Sequence, residues 1–352
     1  MIDWTNILEE STLKWLLEEV NPSVRYFALR DILEKREDDQ EVISAKETIF
    51  NSELVNKILT KQNSDGSWEK TSDPYLPKYK ASYWQIMLLG QLGLDKADIR
   101  VEKACEYIFK FQQKEGSFIS QTPETLVKEY ESRVKKGRKL PPRDEWMSST
   151  TFEQQLSCLT GNMVAALIRL GYQHDNRVKK ALTWLIQIQN RDGGWLCPYW
   201  RAHVKDKHGC FHGTICALEA FSEVKQDNQT EQIEVAVEKG AEFLLMHRLF
   251  KADHHGYKTI NPAWLLLGFP WFYGYNILRG LDVLTKLGYV NDGRLEDAVK
   301  LLLQKRQNNG AWILENTPAG RMHTNVEKKG KPSKWITLIA LRVLKRLNSV
   351  GS

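Results

Sequence analysis

The sequence lacks several patterns that would place it in other classes of protein. No run of alternating apolar and polar residues suggests a sheet. The start, MIDWTNILEE, lacks the basic region of a secretory signal, so we expect a cytoplasmic protein. There are only 5 cysteines in 352 residues, and in a reducing compartment clustered cysteines bind metal more often than they form disulfides. No continuous basic stripe or nucleic-acid motif is present, so we expect no nucleic-acid partner.

Long apolar runs are also missing. The longest uncharged run, residues 259–278, reads TINPAWLLLGFPWFYGYNIL and is nearly long enough to cross a membrane. Its prolines, glycines and asparagines favour a packed wall instead, so we expect no transmembrane helix. Peripheral membrane contact and the oligomeric state stay open. The net charge is +6, and the basic clusters at 135–139 and 328–334 indicate solvated loops, with anion binding as the alternative.

A glycine-aromatic turn recurs along the chain. It reads QNSDGSW at Gln62–Trp68, QKEGSF at Gln113–Phe118, QNRDGGW at Gln189–Trp195 and QNNGAW at Gln307–Trp312. A degenerate copy ends at Gly256 and Tyr257. The long interval after the second turn contains a polar, basic insertion at about 120–151, which we expect to be a loop with one short helix. Recurrence of this kind predicts a repeat architecture.

The segments between the turns have helical periodicity. Val178, Leu182, Leu185 and Ile188 form one apolar stripe, whereas Gly161–Leu170 is apolar nearly all round. Each repeat therefore contains a buried helix, a short link, an amphipathic helix and the turn. We expect the buried helices to begin near Ala81, Gly161, Gly213, Gly274 and Lys334. The prediction is an all-α fold, an α/α toroid of about five or six helix pairs over residues 51–352, with N-terminal helices (1–50) packed on it.

The turns resemble the glutamine-tryptophan repeat of squalene and oxidosqualene cyclases, whose ring is shared by the β subunits of protein prenyltransferases. The resemblance runs from about Ile58 to Leu347. It implies inner and outer helices around a central cavity, with the glutamines and tryptophans of the turns in structural roles. Those residues are Gln62, Trp68, Gln189, Trp195, Gln307 and Trp312.

The chain departs from those cyclases at their catalytic motifs. It has no Asp-x-Asp-Asp motif, because Asp38 and Asp39 lie in the charged run KREDDQE. The aspartate-rich signature of diphosphate-ionising terpene synthases is absent too, and the length suffices for a single barrel. Cyclisation started by alkene protonation is therefore not expected.

Three cysteines suggest a metal site. Cys158 and Cys210 precede consecutive buried helices at equivalent positions, and the turn carrying Cys197 leads to the same end of the second helix. His208, in the motif C-x10-H-x-C, is the nearest fourth ligand for a Cys3His zinc site, with His203 and His212 as rivals. Four protein ligands would make a structural clamp, whereas three cysteines would leave an open position. Cys105 and Cys216 fit an apolar core.

Other candidate site residues fall near the starts of the buried helices or in the rim loops. The candidates for a substrate cavity are Trp84, Trp271, Tyr273, Tyr275 and Trp335, with Tyr83 and Phe272 beside them; the alternative is a bore filled by packed rings. The candidates for acid–base catalysis are Asp253, His255 and His323, with His254. The candidates for binding a diphosphate are Arg201, Lys205, Arg321 and Lys334.

Two functions remain open from the sequence. The first is a zinc-containing enzyme, a transferase or lyase, acting on an isoprenoid or other hydrophobic molecule. The second is a non-catalytic, zinc-clamped toroid that binds a lipid, a peptide or a protein partner. A carbohydrate-active barrel would need paired carboxylates across the bore, and the predicted inner helices offer none.

Overall fold

The computed structural model describes residues 7–197, 208–318 and 320–348, and they are mostly helical. The named strands of the described residues are two residues long and form two antiparallel pairs. The predicted all-α class is confirmed. The chain divides into two compact units: the first contains residues 1–60, 91–94 and 241–352, and the second contains residues 61–90 and 95–240.

The first unit contains both ends of the described chain. Its helices are α1 (Glu10–Leu16), α2 (Pro22–Phe27, continued by a π-helical turn, Ala28–Ile32), α3 (Gln40–Phe50), α4 (Glu53–Leu59), α13 (Ile277–Lys286), α14 (Glu296–Gln304) and α15 (Lys334–Asn348). Its strands are β1 (Lys251–Ala252) paired with β2 (Lys258–Thr259), and β3 (Trp312–Ile313) paired with β4 (Pro332–Ser333). Helix α15 packs against both α13 and α2.

The second unit contains the middle repeats. Its helices are α5 (Ser82–Gln91) as far as Gly90, α6 (Ile99–Phe109), α7 (Pro123–Lys135), α8 (Arg143–Glu153), α9 (Ser157–Leu167, continued by a π-helical turn, Ile168–Tyr172), α10 (Asn176–Gln187), α11 (Phe211–Ser222) and α12 (Glu231–Met246) as far as Gly240. Helices α7 and α8 form the insertion, for which the sequence predicted one short helix.

The helices follow the predicted order of a buried helix and then an amphipathic one. The buried helices α5, α9, α11, α13 and α15 begin within four residues of the predicted starts. The inner helices before α15 are each followed by a helix with an exposed face, and the first of these pairs are α5–α6 and α9–α10. We call the two kinds inner and outer helices. None of the helices in the described residues is long and apolar enough to cross a membrane.

Glycines allow the inner helices α9 and α11 to pack closely. A Cβ atom on Gly161 of α9 would lie 2.5 Å from the backbone carbonyl carbon of Cys216 in α11. Real Cβ atoms do not approach a neighbour so closely, so only glycine fits here. The close approach holds the beginnings of the two helices, which carry the candidate cysteines, next to each other.

The aromatic residue of each turn is bound to the next inner helix. The backbone N–H of Trp68 donates to the hydroxyl of Ser82 at 2.9 Å. The same bond joins three other pairs at 3.0 Å: Phe118 to Thr160, Trp195 to Thr214, and Trp312 to Thr337. The indoles of Trp195 and Trp312 also donate, at 2.7 Å, to a carbonyl of the preceding outer helix. These rings are fully buried, which agrees with the predicted structural role.

In three of the turns, a glutamine bonds both to its own turn and to the next outer helix. Gln189 donates at 2.7 Å to the carbonyl of Gly193 in its own turn and at 2.8 Å to that of Ala236 in α12. Gln62 makes the corresponding bonds to Gly66 and Arg100. In the second turn Gln112 fills this position, one residue before the Gln113 of the sequence pattern.

The last turn differs from the other three. Arg306 occupies the glutamine position and donates to the carbonyl of Ile7 at 2.9 Å and to the Glu9 carboxylate at 2.7 Å. Gln307, which the sequence assigned to this role, donates only locally, to the carbonyl of Lys305 at 3.1 Å. The N-terminal segment and α1 therefore stand where the next outer helix would be, and α1 also contacts the inner helix α15.

The degenerate copy of the turn, which ends at Gly256 and Tyr257, lacks the structure of the other four. Gly256 and Tyr257 lie at the tip of the β1–β2 hairpin, where both have positive φ angles of 65° and 54°. The glycine-aromatic pair in the sequence therefore marks a reversal of the chain without the glutamine-aromatic bonds of the repeat.

Candidate functional site

The local fold brings Cys158, Cys197 and Cys210 together in the second unit. Cys158 is the second residue of α9, and Cys210 immediately precedes α11. The backbone N–H of Cys210 donates to the carbonyl of Trp195 at 2.9 Å, and the Ser157 hydroxyl donates to that of Leu196 at 3.1 Å. The segment that contains Trp195, Leu196 and Cys197 is thus held between the beginnings of the two inner helices.

The sulfur atoms of these residues interact. The Cys197 thiol is placed for side-chain hydrogen bonds with both Cys158 and Cys210, and its Sγ lies 3.4 Å from the Ser157 hydroxyl. Cys197 and Cys210 are only 2% and 7% exposed, whereas Cys158 is half-buried. We call these three residues the cysteine cluster. Cys197 is its central member, and Cys158 is the member that solvent reaches most readily.

Mutual hydrogen bonding and burial keep the thiols of Cys197 and Cys210 protonated. The hydrogen bond with Cys158 is the largest cause that raises the pKa of Cys197 to about 12, against an opposing effect of Cys210. The hydrogen bond with Cys197, followed by burial, raises the pKa of Cys210 well above its ordinary value. The Gly213 backbone N–H, 3.4 Å from the Cys210 Sγ, acts in the opposite direction because it stabilises a thiolate.

The histidines near the cluster have other positions. The His208 side chain is 70% exposed, and its Nδ1 lies 3.5 Å from Oδ2 of Asp192, so it faces that carboxylate. His212 is on the first turn of α11. His203 lies outside the described residues. In the part of the chain that the structure describes, no group of three or more His, Cys, Asp or Glu side chains has the arrangement of a preformed metal site.

The two remaining cysteines are core residues, as the sequence predicts. Cys105 on α6 and Cys216 on α11 are fully buried, and burial raises the pKa of the Cys105 thiol far above its ordinary value. Neither belongs to the cysteine cluster.

One cavity candidate, Trp84, lies in the second unit. Its indole N–H donates to the carbonyl of Tyr75 at 2.7 Å, and its ring centroid lies 5.1 Å from that of Tyr75 and 5.2 Å from that of Tyr79. These contacts account for its burial by packing within the unit.

In the first unit, two candidate tryptophans belong to an aromatic cluster, which we define as Phe27, Phe269, Trp271 and Trp335. The rings of Phe269 and Trp335 stack with centroids 4.4 Å apart, and Trp271 meets Phe269 edge-on at 6.3 Å. Phe27 packs edge-on against Trp335 at 6.0 Å. The indole N–H groups of Trp271 and Trp335 are buried and have no hydrogen-bond partner within the described residues. Both could donate to an acceptor that the protein does not supply.

The tyrosines of the same loop differ from each other. The Tyr275 hydroxyl donates to the carbonyl of Leu249 at 2.6 Å, its ring packs edge-on against Trp264, and burial raises its pKa well above the ordinary value. Tyr273 is half-buried. Tyr275 thus ties the loop to the end of α12, and its hydroxyl already has a partner.

Among the acid–base candidates, Asp253 is the one with histidine neighbours. Its carboxylate oxygens lie 3.4 Å from Nε2 of His247 and 3.2 Å from Nε2 of His254. The other ring nitrogen of His247 lies 2.7 Å from the Phe243 carbonyl. His255 is exposed and His323 is half-buried. Sequence reasoning missed His247, because a single histidine after a helix has no spacing signal.

The predicted diphosphate ligands do not form one group in the described residues. The Lys334 ammonium is bound to the Glu18 carboxylate at 2.7 Å, and its backbone N–H is bound to Glu327 at 2.8 Å. Arg321 is exposed, and Arg201 and Lys205 lie outside the described residues. The charge of Lys334 is thus already neutralised by Glu18.

Comparison with known proteins gives only distant structural similarities. No family model and no curated protein sequence matches the chain. A solved protein from Actinoplanes is 12% identical, covering 94% of this chain and 90% of that chain with a TM-score of 0.44. The type II terpene cyclase MstE from Scytonema is 13% identical, covering 95% and 86%, with a TM-score of 0.44. A variant of MstE with its substrate geranylgeranyl dihydroxybenzoate is 14% identical, covering 97% and 99%, with the same score.

These alignments extend over nearly the full length of the chain. No residue role is transferred from those structures to this chain.

Proposed function

We propose that the protein binds a zinc ion through the thiolates of Cys158, Cys197 and Cys210, and that a ligand from outside the chain fills the fourth position. The supporting observation is the cysteine cluster, in which three thiols from two successive helix pairs interact through Cys197. Convergence of three cysteines is unusual for a core, because ordinary buried cysteines behave as isolated small hydrophobes.

The residues of the cluster fit zinc in their chemistry. Thiolates are preferred zinc ligands, with Zn–S distances of about 2.3 Å. Zinc binding displaces the thiol protons, and the positive charge of the ion stabilises the thiolates that burial and the hydrogen bonds between thiols now disfavour at Cys197 and Cys210. Since the cluster is not a preformed metal site, its side chains must rotate to share one ion.

Three sulfur ligands favour an open site over a clamp. Structural zinc sites are closed by four protein ligands, whereas catalytic sites keep a position for water or substrate. His208, which would close the site, lies beside Asp192 instead. An open thiolate-bound zinc would activate a water or a substrate thiol, so we propose that the protein is an enzyme.

The test is metal content, measured by mass spectrometry on protein purified without added metal. We expect one equivalent of zinc in the native protein and its loss in both Cys158→Ser and Cys210→Ser. The matched control is Cys105→Ala, which alters a buried cysteine outside the cluster. A further variant, His208→Ala, should keep its zinc. Native protein without metal, or full zinc in both cluster variants, would refute the proposal.

A second proposal concerns the ligand of the first unit. We propose that an isoprenoid or other hydrophobic molecule binds at the aromatic cluster. The observation in favour is the pair of buried indole N–H groups on Trp271 and Trp335 without a partner. An unsatisfied buried donor costs about 1–3 kcal/mol, which a bound acceptor would recover. The surrounding ring faces would also stabilise a cationic intermediate.

Isothermal titration with farnesol, which combines an isoprenoid chain with a hydroxyl acceptor, tests this second proposal. Trp335→Phe should weaken binding by about tenfold, since it removes one hydrogen bond and little apolar surface. Trp146→Phe, in helix α8 of the insertion, is the control. Absence of binding to the native protein, or equal binding by the two variants, would count against it.

A further inference from the structure

We infer that the cysteine cluster is also an oxidant-sensitive site, in which hydrogen peroxide joins Cys158 to Cys197 through a reversible disulfide. The inference uses the same three residues as the proposed zinc site but requires no zinc. Disulfide formation can therefore occur in a protein that binds no zinc, and zinc can bind to a protein that forms no disulfide.

The geometry assigns different roles to the members of the cluster. Cys158 is half-buried at the beginning of α9, so a small oxidant reaches it first, whereas Cys197 is 2% exposed. The Cys197 thiol is already placed for a hydrogen bond with Cys158. Disulfide formation needs two neighbouring Cα atoms and a short movement of the sulfur atoms. The bonds from Ser157 to the Leu196 carbonyl and to the Cys197 sulfur hold the two segments in place for that movement.

The chemistry has two balanced steps. In the first, the Cys158 sulfur attacks one peroxide oxygen, the O–O bond breaks, and the products are Cys158 sulfenic acid and water. In the second, the Cys197 sulfur attacks the sulfenic sulfur and displaces the hydroxyl group, which leaves as water with the thiol proton. Two thiols and one peroxide thus give one disulfide and two waters. Because a thiol neighbour is already in contact, the sulfenic acid is trapped before a second peroxide oxidises it further.

Cys210 adds a second partner for Cys197. Its thiol is also placed for a hydrogen bond with Cys197, and it is buried. Attack of the Cys210 sulfur on the Cys197 sulfur moves the disulfide to Cys197–Cys210 and releases Cys158 as a thiol. The exchange places the disulfide between the two buried residues and returns the accessible thiol. Either disulfide removes two of the three proposed zinc ligands, so oxidation would expel the metal.

The experiment uses the full chain in two forms, one stripped of metal with a chelator and the other loaded with zinc. After a few equivalents of peroxide, free thiols are counted and the remaining ones are blocked for peptide mapping. We expect two of the 5 thiols to be lost, a peptide cross-link between the segments of Cys158 and Cys197 or of Cys197 and Cys210, and full recovery with a reductant. In the zinc-loaded form, release of zinc should accompany the loss of thiols.

Three variants make the outcome specific. Cys197→Ser should lose the cross-link, because the central partner is gone; Cys210→Ser should keep only the link between Cys158 and Cys197; Cys105→Ala should behave as the native protein. Circular dichroism checks that each variant is folded. Unchanged thiol counts in the native protein, equal disulfide formation in folded Cys197→Ser, or only irreversible oxidation to sulfinic acid would each overturn the inference. Disulfide formation by a protein that never binds zinc would overturn the metal proposal alone.

Discussion

Arg306 donates to the Glu9 carboxylate at 2.7 Å, at the turn position where the three earlier turns have a glutamine. In those turns the side chain bonds to a carbonyl near the start of, or within, the next outer helix. Arg306 does the same with the carbonyl of Ile7, just before α1. The N-terminal helix is therefore the outer partner of α15, and the last repeat of the first unit is completed by the beginning of the chain.

Replacing Arg306 tests this relationship. Arg306→Ala removes the bond to Ile7 and the ion pair with Glu9, and we expect it to lower the free energy of unfolding by about 1–3 kcal/mol. Arg306→Gln restores the residue of the other turns and can keep the bond to the carbonyl, so its effect should be smaller. Urea unfolding measures both. Equal losses for the two variants would mean that the charge matters and the repeat position does not.

The glutamine of the third turn should be important for stability although it is far from any candidate ligand. Gln189→Ala removes two hydrogen bonds, one of them to Ala236 in the next outer helix, and we expect a loss of about 1–3 kcal/mol in unfolding free energy. The matched control is Gln307→Ala, whose side chain bonds only to Lys305, with an expected change within about 0.5 kcal/mol. If both substitutions cost the same, the link between outer helices is not what the glutamine supplies.

The helix pairs were predictable from the sequence because burial imposes a period that a single chain displays. The stripe through Val178, Leu182 and Leu185 marks the buried side of α10, and all three are buried. It was harder to predict which residue of each turn makes the linking hydrogen bonds. The second turn is one residue longer than its sequence match, which began at Gln113 although Gln112 makes the linking bonds. The last turn has arginine at the linking position, so Gln307 was assigned a role that Arg306 has.

The cysteine cluster was predictable because its members are tied to the repeat, whereas side-chain partners that depend on one loop were not. The predicted equivalence of the two cysteines is wrong by two residues, because Cys158 is the second residue of α9 whereas Cys210 immediately precedes α11, but both lie at the same end of adjacent helices. Nothing in the sequence indicates that His208 faces Asp192 or that His247 approaches Asp253, because such contacts depend on the local path of the chain.

Helices α9 and α11 approach each other closely at Gly161. In Gly161→Ala the new methyl group would lie 2.5 Å from backbone atoms of Cys216, so α9 and α11 must separate. We expect a loss of about 1–3 kcal/mol in unfolding free energy, since overpacking forces the backbone to shift. Separation should also reduce the formation of the cluster disulfide. Gly274→Ala is the control, because a Cβ there meets nothing within 4 Å. If Gly161→Ala keeps the stability and the disulfide yield of the native protein, the prediction is wrong and close packing at this position is not required.

Outer helices begin with a repeated aspartate–arginine pair that also predicts a pH dependence. Asp175 caps α10 by accepting the Arg177 backbone N–H at 2.8 Å, and it receives the Arg177 guanidinium at 2.7 Å. The side-chain bond from Arg177 is the largest cause that lowers the pKa of Asp175, and Asp98 and Asp292 have the same arrangement with Arg100 and Arg294. A depressed carboxyl pKa means that the folded state holds the ionised form more tightly than the unfolded state does.

The stabilisation from Asp175 is therefore fully present above the unfolded-state pKa of an aspartate, about 3.9, and is lost as the pH falls through the lower folded-state value. Asp175→Asn keeps a good cap but removes the charge. We expect this variant to unfold at lower urea concentration than the native protein at pH 7, and the gap to narrow as the pH falls below about 4. Asp227→Asn, at an exposed position, should show a small gap at every pH. A gap for Asp175→Asn that stays constant from pH 7 to pH 3 would mean that the cap depends on hydrogen bonding and owes nothing to the ion pair.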